Sequence, residues 1–202
     1  MLLYRWEKLM SNIGLSKNLD TYSALINAYS EKQRFYHDLS HLSTVLECFD
    51  QLENMADEKH LVELALWFHD AIYQPFSKGN ENKSADWACH FLEINGVNHE
   101  AQEYVRELIM ATCHSGQAES NDQKMVVDID LSILGADKHR YKKYTEAVRR
   151  EYAQVPGLIY QRKRKALLND FLARERIYHF DYFSQKFESQ ARRNLKGEIN
   201  SL

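Results

Sequence analysis

Residues 64–75 read LALWFHDAIYQP, and the whole chain is best read outward from them. Five consecutive apolar residues, Leu64 to Phe68, predict a buried helix over about 58–73. His69 and Asp70 fall in the middle of that helix. An ionised carboxylate in an apolar setting is costly unless it is paired or bound to a cation. The stretch therefore asks for a partner that other parts of the 202-residue chain must bring.

The segments on either side read as helices too. Ala85, Ala88, Phe91 and Leu92 recur at helical spacing, as do Val105, Leu108, Ile109 and Thr112, and later Leu158, Ile159, Leu167, Leu168, Phe171 and Leu172. Gly14, Gly79, Gly96, Gly116, Gly135, Gly157 and Gly197 fall between these runs, where helices end. Asp57 and Asn80 are candidate N-caps. Period-two alternation is scarce. The sequence thus predicts an all-α fold, with helices near 4–12, 18–31, 37–54, 58–73, 81–95, 98–115, 124–134, 138–153, 158–175 and 181–196. Polar connections at 74–80 and 116–123 are expected to rim a cleft. A single domain over 1–202 is expected, with its core over about 18–153 and a basic helical extension over about 154–202 packed on it.

Composition narrows the function classes. The chain is 44% hydrophobic and 27% charged, which argues against wholesale disorder. Its longest apolar run is far short of the roughly 20 residues a membrane span needs. MLLYRWEKLM carries no extended apolar core of a signal peptide. Cys48, Cys89 and Cys113 form no CxxC, which fits a reducing compartment, so a cytoplasmic location is expected. Charge is uneven: residues 1–137 hold 10 Lys+Arg against 22 Asp+Glu, and residues 138–202 hold 16 against 7. Arg149, Arg150 and the run Arg162, Lys163, Arg164, Lys165 are read as solvated surface, because consecutive residues fan around a helix and cannot all face one cleft; binding of a nucleotide or nucleic-acid phosphate is the alternative. No P-loop, GxGxxG, RNP-like string or GxSxG is present, so dedicated nucleic-acid binding and serine-nucleophile chemistry are not expected.

Four places carry chemistry. In RFYHDLSHL (34–42), His37 and His41 are four apart, which on a helix puts both on one face. His69-Asp70 is the second. His114 ends ELIMATCHSG (107–116), and Asp128 and Asp130 lie in the apolar MVVDIDLSILG (125–135). Separate apolar helices each carry His or Asp where a hydrophobic residue is expected. A divalent cation resolves these anomalies together, since it supplies the charge the carboxylates lack. Imidazole with carboxylate suits manganese, iron, nickel, cobalt or zinc, and magnesium less well. His60, His90, His99, His139 and His179 are read as ordinary histidines, and the cysteines as small core residues.

The ordered set His37, His69-Asp70, Asp130 resembles the H…HD…D signature of the HD-domain superfamily of metal-dependent phosphohydrolases. RFYHDLSHL, LWFHDAIY, NENKSA, DIDLSILG, RREY and ARRNL resemble one subgroup of it, over roughly residues 34–196. The resemblance implies an HD-domain-like helical bundle with additional C-terminal helices, a divalent metal and hydrolysis of a phosphate ester. It implies His37, His69, Asp70 and Asp130 as metal ligands, with Asp128 the alternative carboxylate. His114 and His41 are then further residues near the metal or substrate. Arg34, one turn before His37, is the candidate cation for the phosphate oxygens, and Glu81 a candidate for holding a histidine or water. Asp70 is expected to orient the nucleophile as well as bind metal. The implied partner is a small phosphorylated, nucleotide-like substrate, and a homo-oligomer is compatible with the sequence. The rival reading is a regulatory module that binds metal or nucleotide and turns nothing over.

Overall fold

A computed structural model describes residues 1–75, 77–113 and 118–202. Among the described residues it is helical throughout, with no strand, as the periodicity predicts. None of its helices is long and apolar enough to cross a membrane. The chain divides into two compact units, Met1–Ile129 and Asp130–Leu202.

The first unit contains α1 (Leu2–Asn12), α2 (Leu19–Tyr29), α3 (Leu39–Asp50), α4 (Lys59–Phe68), α5 (Asn80–Ile94), α6 (His99–Ala111) and α7 (Asn121–Asp130). Its centre is α4, which packs against α1, α3, α5 and α6. Every residue from Val62 to Phe68 is buried, because the helix has neighbours on all sides, and all of them are apolar except Glu63, which pairs with Arg5 at 2.7 Å. Trp67 and Phe68 join an aromatic core. Trp6 meets the Trp67 ring edge-on at 5.3 Å, and Phe91 stacks on Phe68 at 5.7 Å. Burying each such side chain contributes about 1.5–3 kcal/mol.

Three local readings change. Helix α4 ends at Phe68 rather than 73, so His69 is its C-cap and Asp70 lies in the following turn. The last carbonyls of a helix need outside donors. Here Trp67 O accepts from the Tyr29 hydroxyl (3.2 Å), and in the turn beyond the helix Asp70 O and Ala71 O accept from Arg34 (2.6 and 2.9 Å). Helix α3 begins at Leu39 rather than 37. Asp38 has extended backbone there, and its carboxylate accepts from Ser40 N and His41 N. His37 therefore precedes the helix, and the one-face argument for the His37/His41 pair does not apply. The expected caps also differ. Glu58, not Asp57, is the N-cap of α4, and Gly79 in left-handed conformation, not Asn80, is that of α5. Asn80 instead brackets Gln74, accepting from its N–H and donating to its carbonyl.

A carboxylate that the sequence reading passed over ties α4 to α7. Asp122, in the first turn of α7, is fully buried. It accepts from Asp57 N and Glu58 N (both 2.8 Å) at the start of α4, and from the Tyr104 hydroxyl (2.9 Å).

The second unit contains a 3₁₀ turn (Leu131–Gly135), α8 (Lys138–Glu151), α9 (Gly157–Ala173), α10 (Asp181–Phe183), a π turn (Ser184–Glu188) and α11 (Ser189–Ser201). Gly135 is required by close packing, since a Cβ there would run into Phe187. Arg164 is a correction to the expected solvated face. It is 7% exposed and pairs with Glu198 at 2.7 Å, in a cluster completed by the Tyr141 and Tyr144 hydroxyls. Burial, followed by the charge of Glu198 and its hydrogen bond, pushes the Tyr141 hydroxyl far above its ordinary range.

Candidate metal centre

The end of α4, the first turn of α3 and the end of α7 place four side chains together. One ligand atom from each of His41, His69, Asp70 and Asp130 lies within 4.8 Å of the others. Asp130 is the last residue of α7, and the rest of that helix belongs to the first unit. The two histidines are buried and the two carboxylates half-buried.

Three of the atoms form a tight triangle. His41 Nε2 is 3.1 Å from His69 Nε2 and 3.4 Å from Asp70 Oδ2, and His69 Nε2 is 3.1 Å from Asp70 Oδ2. Ligands held at about 2.1 Å from one ion are about 3.0 Å apart at a right angle and about 3.4 Å apart at a tetrahedral one. The observed edges match those spacings. The His69 ring is also oriented for ligation. Its Nδ1 lies 2.8 Å from the Leu66 carbonyl, which can only accept, so Nδ1 carries a proton and the ring is held with Nε2 turned into the group. Two imidazoles and two carboxylates suit a first-row divalent ion.

Electrostatics agree with an ionised Asp70. Burial works to raise its pKa. The charges of His69 and then His37, with hydrogen bonds to His41 and His69, outweigh that and hold the carboxyl well below the usual range.

The end of α4 explains how adjacent residues converge. On a continuous helix His69 and Asp70 would point about 100° apart. Because the helix stops at Phe68, Asp70 sits in a turn and its Oδ2 comes back to 3.1 Å from the neighbouring imidazole.

The other expected residues are distributed around this group. His37 is outside the four. Its ring stacks on Tyr73 at 4.1 Å, meets Tyr36 edge-on at 4.9 Å, and lies 5.8 Å from that of His41. His41, which the signature left without a defined role, takes the place expected for His37. Asp130 is a member of the group. Asp128, fully buried on α7, is not. His114 lies outside the described residues. Glu81, in the first turn of α5, is beside Cys113; burial and then the Glu81 charge push that thiol's pKa up.

Arg34 is not free to meet a phosphate. Its side chain is 1% exposed. Nε donates to Glu31 (3.0 Å), Nη1 to the carbonyls of His37 (3.0 Å) and Asp70 (2.6 Å), and Nη2 to the carbonyl of Ala71 (2.9 Å). The guanidinium also lies over the rings of Tyr29 and Tyr73. The expected contact with phosphate oxygens is thus replaced by a backbone clamp. Sequence spacing gave no sign of the Tyr29 brace, whose hydroxyl also accepts from Asp70 N at 3.3 Å.

No family model, curated protein or solved structure matches the chain.

Proposed function

We propose that the chain is a metal-dependent phosphohydrolase of the HD type, acting on a phosphate ester of a small, nucleotide-like substrate. The observation that carries this reading is the His41, His69, Asp70 and Asp130 group, with the His69 Nε2 turned into it. The substrate class rests on the resemblance of the motif strings. In this reading the first histidine of the H…HD…D order is His41, four residues beyond the one that the resemblance implied.

His41 and His69 offer neutral nitrogen donors, and Asp70 and Asp130 offer the negative charge that neutralises a divalent ion. A divalent metal held there supplies a water of lowered pKa and polarises a phosphorus–oxygen bond. Asp70 is ionised at neutral pH and lies at the mouth of the group, 17% exposed, where its second oxygen can accept from an incoming water. The Leu66 carbonyl holds the His69 ring in one tautomer. Arg34 takes no part in contacting substrate.

The test is metal analysis of the protein after manganese loading and dialysis, followed by a panel of phosphomonoesters and phosphodiesters with manganese or magnesium. Bound metal, turnover by the wild type and loss of both in His69→Ala are expected, with Asp70→Ala also inactive. Failure to retain metal overturns the reading. Metal binding without turnover across the panel moves the assignment to a regulatory module.

A further inference from the structure

We infer that Arg34 is a positioning residue that sets the affinity of the His41/His69/Asp70/Asp130 group for its metal. The inference rests on the metal-centre reading and adds a residue that touches no ligand atom of the group.

The hydrogen bonds of Arg34 join two separate turns. One is the turn through His37, which leads into the Asp38 cap of α3 and so to His41 in the first turn of that helix. The other is the turn after α4, where Asp70 O and Ala71 O accept from Nη1 and Nη2. One guanidinium therefore fastens the backbone next to a histidine donor to the backbone of a carboxylate donor. The Asp70 carbonyl it holds belongs to the same residue whose carboxylate is in the group.

Burying a cation is costly unless its donors are met. Four of the five N–H donors of Arg34 are accounted for by these contacts, three of them on main-chain carbonyls. A surface ion pair with Glu31 would need none of that burial. The fork is also specific to arginine. A lysine ammonium is a compact point charge and cannot span carbonyls from both turns in one plane. Groups that orient metal ligands without touching the ion typically change affinity by about 10–100-fold when removed.

The experiment titrates manganese into the full chain by calorimetry, comparing wild type with Arg34→Lys, Arg34→Gln and the control Arg5→Lys. Arg5 is a second partly buried arginine of the same unit, but its partners are Asp50 and Glu63. Thermal unfolding of each metal-free protein is recorded alongside. Arg34→Lys is expected to keep the fold and to bind manganese about 10–100-fold more weakly. Arg5→Lys is expected to lower the melting temperature while leaving the manganese Kd unchanged. If Arg34→Gln fails to fold, Arg34→Lys alone decides the matter. An unchanged Kd in Arg34→Lys, with only the melting temperature reduced, overturns the inference and leaves the metal centre standing. Absence of manganese binding by the wild type overturns the metal centre, and this inference with it.

Discussion

Replacing Asp122 by alanine should unfold the first unit far more readily than its distance from the metal group suggests. Asp122 is fully buried and accepts three hydrogen bonds, two from main-chain amides at the start of α4 and one from a tyrosine hydroxyl. Hydrogen bonds to a charged acceptor contribute about 1.5–3 kcal/mol each. The two amides are only part-buried and regain water, which puts the expected loss at about 3–5 kcal/mol. That is a large fraction of the roughly 5–15 kcal/mol by which a domain is stable. Asp122→Asn keeps one acceptor and should lose less, about 1.5–3 kcal/mol. The assay is urea unfolding followed by tryptophan fluorescence. Trp6, Trp67 and Trp87 all belong to the first unit, so the signal reports on it alone. The consequence for the site is geometric. Asp122 fastens the start of α7 to the start of α4, and the far ends of those helices carry Asp130 and His69. Manganese affinity should therefore weaken in Asp122→Asn even where the protein remains folded. A loss below about 1 kcal/mol in Asp122→Ala would refute the argument, because it would mean that a buried acceptor of three bonds was dispensable.

Other consequences follow from the same contacts. Arg164→Met should destabilise the second unit by about 3–5 kcal/mol, since it strands the Glu198 carboxylate, and circular dichroism during urea unfolding reads this. Gly135→Ala forces a methyl group against Phe187, whose Cα is 2.9 Å from the built Cβ, and should cost about 1–3 kcal/mol by the same measurement. For Glu63, burial raises the carboxyl pKa above its ordinary 4.5 and outweighs Arg5. The folded state then holds the proton more tightly than the unfolded one, so the contribution of Glu63 to stability falls as pH rises through this window. Stability of the wild type relative to Glu63→Gln should decline from about pH 4.5 upward, and a rising difference would contradict the shift.

Much of the fold was legible because α4 is unusually explicit. The five apolar residues Leu64 to Phe68 predict a buried central helix, and the flanking periodic runs supply its neighbours. The boundaries that mattered most for the site were not legible. Apolar character continues through Ala71 and Tyr73, yet the helix stops at Phe68. The donors that meet the helix end and the turn after it, Tyr29 and Arg34, come from more than thirty positions away. The start of α3 carried a local signal, Asp38 with an amide to accept three residues on, and reading it would have moved His37 out of the helix. The choice between Asp128 and Asp130 was open because both lie in one apolar run. Only the packing of α7 separates the buried Asp128 from the half-buried Asp130 that joins the group. Asp122 had a helix-start signature but its partners, at 57, 58 and 104, are tertiary.

The buried charges of the chain also argue for what the metal group is for. Asp122 is met by three donors from the protein. Arg34 is met by three carbonyls and a glutamate, and Arg164 by Glu198. In each case donor faces acceptor. At His41, His69 and Asp70 the pattern differs, because two ring nitrogens and a carboxylate oxygen converge mutually rather than in one pair. The His69 Nε2 lies 3.1 Å from Asp70 Oδ2, and the His41 Nε2 points at both from 3.1 and 3.4 Å. A divalent cation serves all of them, at the spacings its bond lengths require. Manganese should therefore raise the melting temperature of the wild type, by about 2.7 kcal/mol of stability at a hundredfold excess over Kd. It should do nothing for His69→Ala. A protein as stable without manganese as with it would show that protons, not a metal, occupy the convergence.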